Sequence, residues 1–315
     1  MLCEKAFTVN ADQARKLFAL AKEKDLLITE AIWTRYMPSR KMIDDIISSG
    51  VIGEVTAVTA NLNYAISEVE RIRKPELAGG ALLDVGVYTI NFASMVLGDK
   101  LKDVQATAIF REGVDMLDTI AMVFEGDRMA TLQCGAREIS DRMGSIFGTK
   151  GYIQVQNINN PEKITVFDKE HKEVAAYMPP AQITGYEYEV EACARAIAQG
   201  EKECPEMPHD ETVRVMGIMD GIRNPGAMRF RCMSRQGGSS AILQKAFFKH
   251  ALVNSNNNRL LFTPFTVTRF AMHRNHALHD SRRNSRVFCE LCSQKTPRGT
   301  LPVNSNNNSN RYKKI

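Results

Sequence analysis

The sequence predicts an α/β fold: an incomplete parallel α/β unit, then an α+β domain on an open, mainly antiparallel sheet, then a disordered tail. Three observations lead there. The first 50 residues alternate apolar strand and amphipathic helix at the spacing of an α/β unit. From Val55 to Tyr177, one helix apart, short apolar runs follow one another with turn residues between them. After Arg223 neither the helical nor the strand period is sustained. The expected division is 1–52, 53–224 and 225–315.

Asn10 through Asp25 reads as a helix capped by Asn10, with Ala14, Leu17, Phe18, Leu20 and Ala21 as its apolar stripe. Leu26–Ile32 is a short strand. Pro38–Ser49 is a second helix, with Met42, Ile43, Ile46 and Ile47 on one face and Gly50 where a helix ends. The first strand of this unit would end near Cys3, so the unit begins in its middle. Val55–Tyr64 is extended, and Asp84–Leu97 is a buried helix ended by Gly98. Strands are expected at Val104–Phe110, Thr119–Phe124, Met129–Ala136, Ser145–Phe147, Tyr152–Gln156, Ile164–Phe167 and Val174–Tyr177. Helices at Tyr186–Ala198 and Asp210–Ile222 close the domain.

The net charge of +5 hides an asymmetry: residues 1–224 carry 25 Lys+Arg against 34 Asp+Glu, whereas residues 225–315 carry 16 against 2. The tail holds Val-Asn-Ser-Asn-Asn-Asn at 253–258 and again at 303–308. Two copies make no solenoid. Without interleaved aromatics or a periodic basic face, the tail is not expected to bind nucleic acid specifically. His273, His276 and His279 precede Cys289-x-x-Cys292, but their order matches no zinc pattern, so no metal is assigned. Seven scattered cysteines suit a reducing, cytoplasmic setting. No signal peptide and no membrane span are expected.

Asp84 and Tyr88 are four residues apart, which puts both on one helix face. With Lys5 they make a group that could handle a proton. On spacing alone, Asp84 also fits a helix cap and Tyr88 a core aromatic. The choice turns on a resemblance. Cys3-Glu4-Lys5, Glu30–Pro38, Ser49–Val55, Gly79–Tyr88 and Gly148-Thr149-Lys150-Gly151 stand in the order found in the glucose–fructose oxidoreductase / inositol dehydrogenase (Gfo/Idh/MocA) family. Within that family the chain most resembles the dimeric dihydrodiol dehydrogenases, also described as NADP-dependent D-xylose dehydrogenases. The resemblance covers residues 1–223.

The resemblance implies a C-terminal remnant of a dinucleotide-binding (Rossmann) domain, then a substrate domain whose open sheet pairs with a second copy. It implies NADP as cofactor, NAD less so, and a small diol or sugar as substrate. Lys5 matches the lysine near the nicotinamide, Tyr88 the acid/base position, and Asp84 the group that orients the substrate hydroxyl or Lys5. Glu4, Trp33 and Arg35 match cofactor-side positions; Trp33 could instead wall the substrate pocket. Ala6 stands where the family has proline, from which a mis-aimed Lys5 is expected. No Gly-x-Gly-x-x-Gly turn is present, so a truncated chain with an unrelated tail is expected. The implied activity is oxidation of a secondary alcohol by hydride transfer. The alternative is a non-catalytic, dimerising chain without cofactor binding.

Overall fold

The structure, a computed structural model, describes residues 1–223. The basic tail, its repeats and its Cys/His cluster lie outside the described residues. The chain runs β1 (Leu2–Glu4), α1 (Ala11–Glu23), β2 (Thr29–Ala31), a 3₁₀ turn at Trp33–Arg35 and α2 (Pro38–Ser48). β1 and β2 form a two-stranded parallel sheet, with Cys3 opposite Glu30. Asn10 caps α1 by accepting from Gln13 N at 2.9 Å. Ala14, Phe18 and Ala21 bury the helix against α6 (His209–Arg223), whereas Leu20, expected in the stripe, is exposed. The expected strand 26–32 is shorter because Leu26 faces solvent. Pro38 opens α2 at a position where no N–H is needed, and Gly50 follows its end with φ +71°.

Next come β3 (Val55–Asn63), a one-turn α3 (Glu70–Arg73), a 3₁₀ turn at Pro75–Leu77, a π-turn at Leu82–Gly86 and α4 (Val87–Leu97). β4 (Leu101–Arg111), β5 (Val114–Phe124), β6 (Arg128–Gly135), β7 (Gly144–Gly148), β8 (Gly151–Gln156), β9 (Lys163–Asp168) and β10 (Glu173–Tyr177) follow, and α5 (Glu187–Gln199) precedes α6. The larger sheet has the order β10-β9-β8-β7-β3-β6-β5-β4. Every pair in it is antiparallel except β3–β6, so the open, mainly antiparallel sheet read from the sequence is what forms.

Alternation along the strands decides which face is covered. Val58, Ala60 and Leu62 of β3, Ala130 and Leu132 of β6, and Ile120 and Met122 of β5 point inward. α4 packs on β3 and β6, and α6 on β4. α4 is apolar on nearly every side and accordingly buried along nearly its whole length. The stretch Pro75–Leu97 is long and apolar enough to cross a membrane by length and composition, but 83% of its most apolar window is buried within the fold. The opposite sheet face is polar: Thr59, Asn61, Thr119, Thr131, Gln133 and Gln154 line a shallow depression across it.

Candidate active site

The π-turn that opens α4 positions the site. Val87 N bonds to Leu82 O five residues back, and a single wide turn of this kind re-aims the side chains it carries. Gly86 permits it: a Cβ there would lie 2.8 Å from Cys134 Sγ on β6. Asp115 holds the start of the turn, with Oδ2 accepting from Leu82 N at 2.6 Å. Its Oδ1 occupies the space a Cβ on Gly80 would take, and Gly80 adopts φ +114°. Beside it, burial and the Asp115 charge push the Asp118 carboxyl well above the usual carboxylate range. The helical turn begins before Asp84, with Ala81 at its cap, so Asp84 is not the cap that its spacing allowed.

Asp84 and Lys5 meet although 79 residues separate them. Lys5 Nζ donates to Asp84 Oδ1 at 3.0 Å and to the Asp84 carbonyl at 2.6 Å, and lies 5.2 Å from the centre of the Tyr88 ring. The Lys5–Ala6 peptide is cis, and Lys5 reaches Asp84; the mis-aiming expected from Ala6 does not occur. Arg71 of α3 donates to the same Oδ1 at 2.6 Å. Burial works to raise the Asp84 pKa, but the charges of Lys5 and Arg71 outweigh it and hold the carboxyl below its ordinary value. Among the described residues Oδ2 has no hydrogen-bond partner, so one carboxylate oxygen is pinned and the other is open.

Tyr88 lies one turn further along, buried. Burial, and then the nearby Tyr186, Glu4, Asp84 and Glu189, push its phenol well above the ordinary value, so it keeps its proton across neutral pH. Glu4 is exposed at the end of β1. Glu189 of α5 is buried, and burial together with Glu4 raises its carboxyl to about 8. Trp33 stacks on Tyr186 with centroids 4.3 Å apart and donates from Nε1 to Asn159 Oδ1 at 3.1 Å; Asn159 in turn donates to the Tyr64 hydroxyl at 3.2 Å. Trp33 thus backs Tyr186, one of the groups whose charge acts on the Tyr88 phenol.

Arg35 takes a different place from the Lys5 cluster. Its guanidinium is mostly buried, donates from Nε to Asn91 Oδ1 at 2.5 Å, and pairs with Glu211 of α6. Asn91 is three residues beyond Tyr88 on α4. Lys5–Asp84 and Arg35–Asn91 therefore pin the first 48 residues to the π-turn and to α4. Within those residues, Glu30 on β2 ties β2 to the segment after β1. It is 1% exposed, its Oε1 accepts from Phe7 N at 3.1 Å, and its Oε2, near the Thr212 hydroxyl of α6, makes no well-formed hydrogen bond. Burial drives its carboxyl up to about 7.

Arg71, Asp115, Tyr186 and Glu189 were not visible as site residues in the sequence. Only Tyr186, an aromatic at the start of an expected helix, left any signal. Each joins the site through contacts far along the chain.

The fold agrees with comparisons to known proteins. Residues 41–154 match the GFO/IDH/MocA C-terminal domain. A trans-1,2-dihydrobenzene-1,2-diol dehydrogenase of Xenopus tropicalis is 34% identical over 227 residues, covering 70% of this chain and 69% of the relative. The Homo sapiens protein of the same name is 29% identical over 238 residues, covering 73% and 71%. Among solved structures, KijD10, a 3-ketoreductase from Actinomadura kijaniata in complex with NADP and TDP-benzene, aligns with TM-score 0.67 at 24% identity over 74% of this chain and 72% of its own. Aldose-aldose oxidoreductase from Caulobacter crescentus aligns with TM-score 0.64 at 16% identity over 72% and 69%. At those identities the structural likeness is one of fold. The sequence relatives, aligned over more than two thirds of both chains, carry the assignment: this chain belongs to the GFO/IDH/MocA family of oxidoreductases.

Proposed function

We propose that the Lys5–Asp84–Tyr88 site oxidises a secondary alcohol, with NADP⁺ as hydride acceptor. The proposed substrate is a trans-dihydrodiol of an arene or an aldopentose such as D-xylose. The observation that carries the reading is Asp84: one carboxylate oxygen is held by Lys5 and Arg71, the other has no hydrogen-bond partner among the described residues, and Lys5 also lies 5.2 Å from the Tyr88 ring. The relatives named as dihydrodiol dehydrogenases and the NADP-bound fold neighbour support the choice of cofactor and substrate class.

When bound, NADP⁺ supplies the two-electron acceptor. This chain's residues do the rest. Asp84 Oδ2 accepts a hydrogen bond from a substrate hydroxyl and orients it. The Lys5 ammonium stabilises the alkoxide character that develops as hydride leaves. Tyr88 moves the proton at its Oη: the phenol donates it in reduction, and in oxidation only the phenolate takes it, so the oxidising direction gains as pH rises. The phenol's raised pKa suits the donating role at neutral pH. Tyr186, backed by Trp33, gives an apolar wall to a ring-shaped substrate. Glu4 and Trp33 would flank the nicotinamide end, with Lys5 between cofactor and substrate; Arg35 would act by holding α4.

The residues present fit the nicotinamide end of the cofactor. The N-terminus of α1 is not a phosphate site, because Ala11 N already donates to Asp220 Oδ2 at 2.7 Å and Gln13 N to Asn10. That observation favours a second reading, a homodimer paired through the polar sheet face that makes no use of the cofactor. Titration with NADPH separates the two. Trp33 is the sole tryptophan, and its stack on Tyr186 makes its fluorescence a local probe. Saturable quenching supports the enzyme; a folded dimer with no response overturns it.

A further inference from the structure

We propose that Cys193 and Cys204 are a dithiol that closes reversibly to a disulfide. Their sulfurs lie 3.8 Å apart, and both are free thiols. A disulfide needs about 2.05 Å between sulfurs, so closure asks for a movement of about 1.8 Å, within reach of side-chain rotation.

Each sulfur is presented by a firmly held element. Cys193 sits on α5, beside the buried Ala192 and Ala196, and α5 ends at Gly200 with φ +75°. Cys204 is fully buried in a turn closed by its bridge to Met207. That turn is stitched to the segment before β2. Ile28 N donates to Lys202 O at 3.2 Å, Thr29 Oγ1 to Met207 O at 3.4 Å, and Lys202 Nζ pairs with Asp25 at 2.8 Å. His209 Nε2 lies 2.8 Å from Ile28 O, and its ring stacks on Phe18. The two thiols are thus fixed face to face from different parts of the fold.

The pair differs from the other described cysteines. Cys134 is fully buried against Asp118, and Cys3 has only the Phe7 carbonyl as partner. Cys193 is partly exposed and is the member an oxidant meets first. The thiol hydrogen bond between the two raises Cys193 and lowers Cys204, as one shared proton requires. The oxidant is a small-molecule disulfide such as oxidised glutathione. Two S–H bonds break and one protein S–S bond forms. The two electrons cleave the S–S bond of the oxidant, whose two thiolates take the two protons. Cys193 lies four residues from Glu189 on α5, so the cross-link forms one turn from that buried carboxyl.

The test is a thiol map of the full chain after oxidised glutathione treatment, alkylation and tryptic digestion without reductant. Cleavage after Lys172, Arg195, Lys202 and Arg214 places the two cysteines in separate peptides, 173–195 and 203–214. The expected result is a joined peptide about 2 Da lighter than the sum of its reduced parts, released by dithiothreitol. It forms in the wild type and not in C204S, which keeps Cys193 and the other five thiols. Recovery of both peptides alkylated, or of Cys193 only as a glutathione adduct, would overturn the proposal and leave the two sulfurs as packed neighbours.

Discussion

Glu30 makes the stability of this protein depend on pH in a way that one substitution should remove. Its carboxyl is fully buried, with one oxygen on Phe7 N and the other near the Thr212 hydroxyl without a well-formed hydrogen bond. Burial moves its pKa from 4.5 to about 7. Because the folded value lies above the unfolded one, folding favours the neutral acid. Its contribution is complete below the unfolded value of 4.5 and is lost as pH rises through about 7. Integrating that linkage between about pH 5 and pH 8 gives a loss of about 2.5 kcal/mol in the wild type. Glu30→Gln keeps an acceptor for Phe7 N and cannot ionise. The stability of the variant relative to wild type should therefore climb by about 2.5 kcal/mol across that range. Urea unfolding followed by Trp33 fluorescence at several pH values measures it. Comparing the two proteins cancels the titration of Glu189 and the cysteines. Curves that stay parallel from acid to mildly alkaline pH would refute the reasoning.

Three further perturbations test the scaffold of the site. Asp115→Ala leaves the buried Leu82 N without its acceptor and should cost about 1–3 kcal/mol, whereas Asp12→Ala on the exposed face of α1 should cost far less; thermal unfolding separates them. Leu132→Ala on the inner face of β6 should cost about 2–5 kcal/mol in urea midpoint measurements, with Val174→Ala on exposed β10 as the near-neutral control. Asp84→Asn removes the partner of a mostly buried ammonium. Because the Asp84 pKa is lowered on folding, its stabilising contribution is present above the unfolded value of 3.8 and fades as pH falls through the folded value. The variant should be less stable than wild type near neutral pH, and the deficit should narrow in acid, which pH-resolved unfolding reads directly.

What the sequence revealed and what it concealed follow from range. Asn10, Pro38, Gly50 and Gly98 act within a few residues of themselves, and the elements they bound appear where their chemistry puts them. The strand runs were legible because one sheet face is buried and the other wet, so alternation survives along β3, β5 and β6. The short pieces were not legible. Trp33–Arg35 and Glu70–Arg73 are single turns whose conformation comes from tertiary contacts, such as Arg35 with Asn91 and Glu211. The π-turn at Leu82–Gly86 depends on Asp115 and Cys134 from other strands, so no local pattern announces it. The same holds within the site. Lys5, Asp84 and Tyr88 could be named from motif order, but Arg71, the second cation on Asp84, is placed only once α3 has folded back. Arg35, named from the resemblance as a cofactor-side residue, also links α4 to α6 through Asn91 and Glu211, a role its local sequence does not announce.

The central claim is that Lys5, Asp84 and Tyr88 form a proton-handling site for hydride transfer. The most direct measurement follows nicotinamide reduction spectrophotometrically, with NADP⁺ and the trans-dihydrodiol of benzene, in wild type, Lys5→Met and Tyr88→Phe. The account predicts steady reduction by the wild type and a fall of about 10²–10⁴-fold in kcat for each variant, with NADPH binding to Tyr88→Phe little changed. Turnover in both variants close to that of the wild type would contradict it.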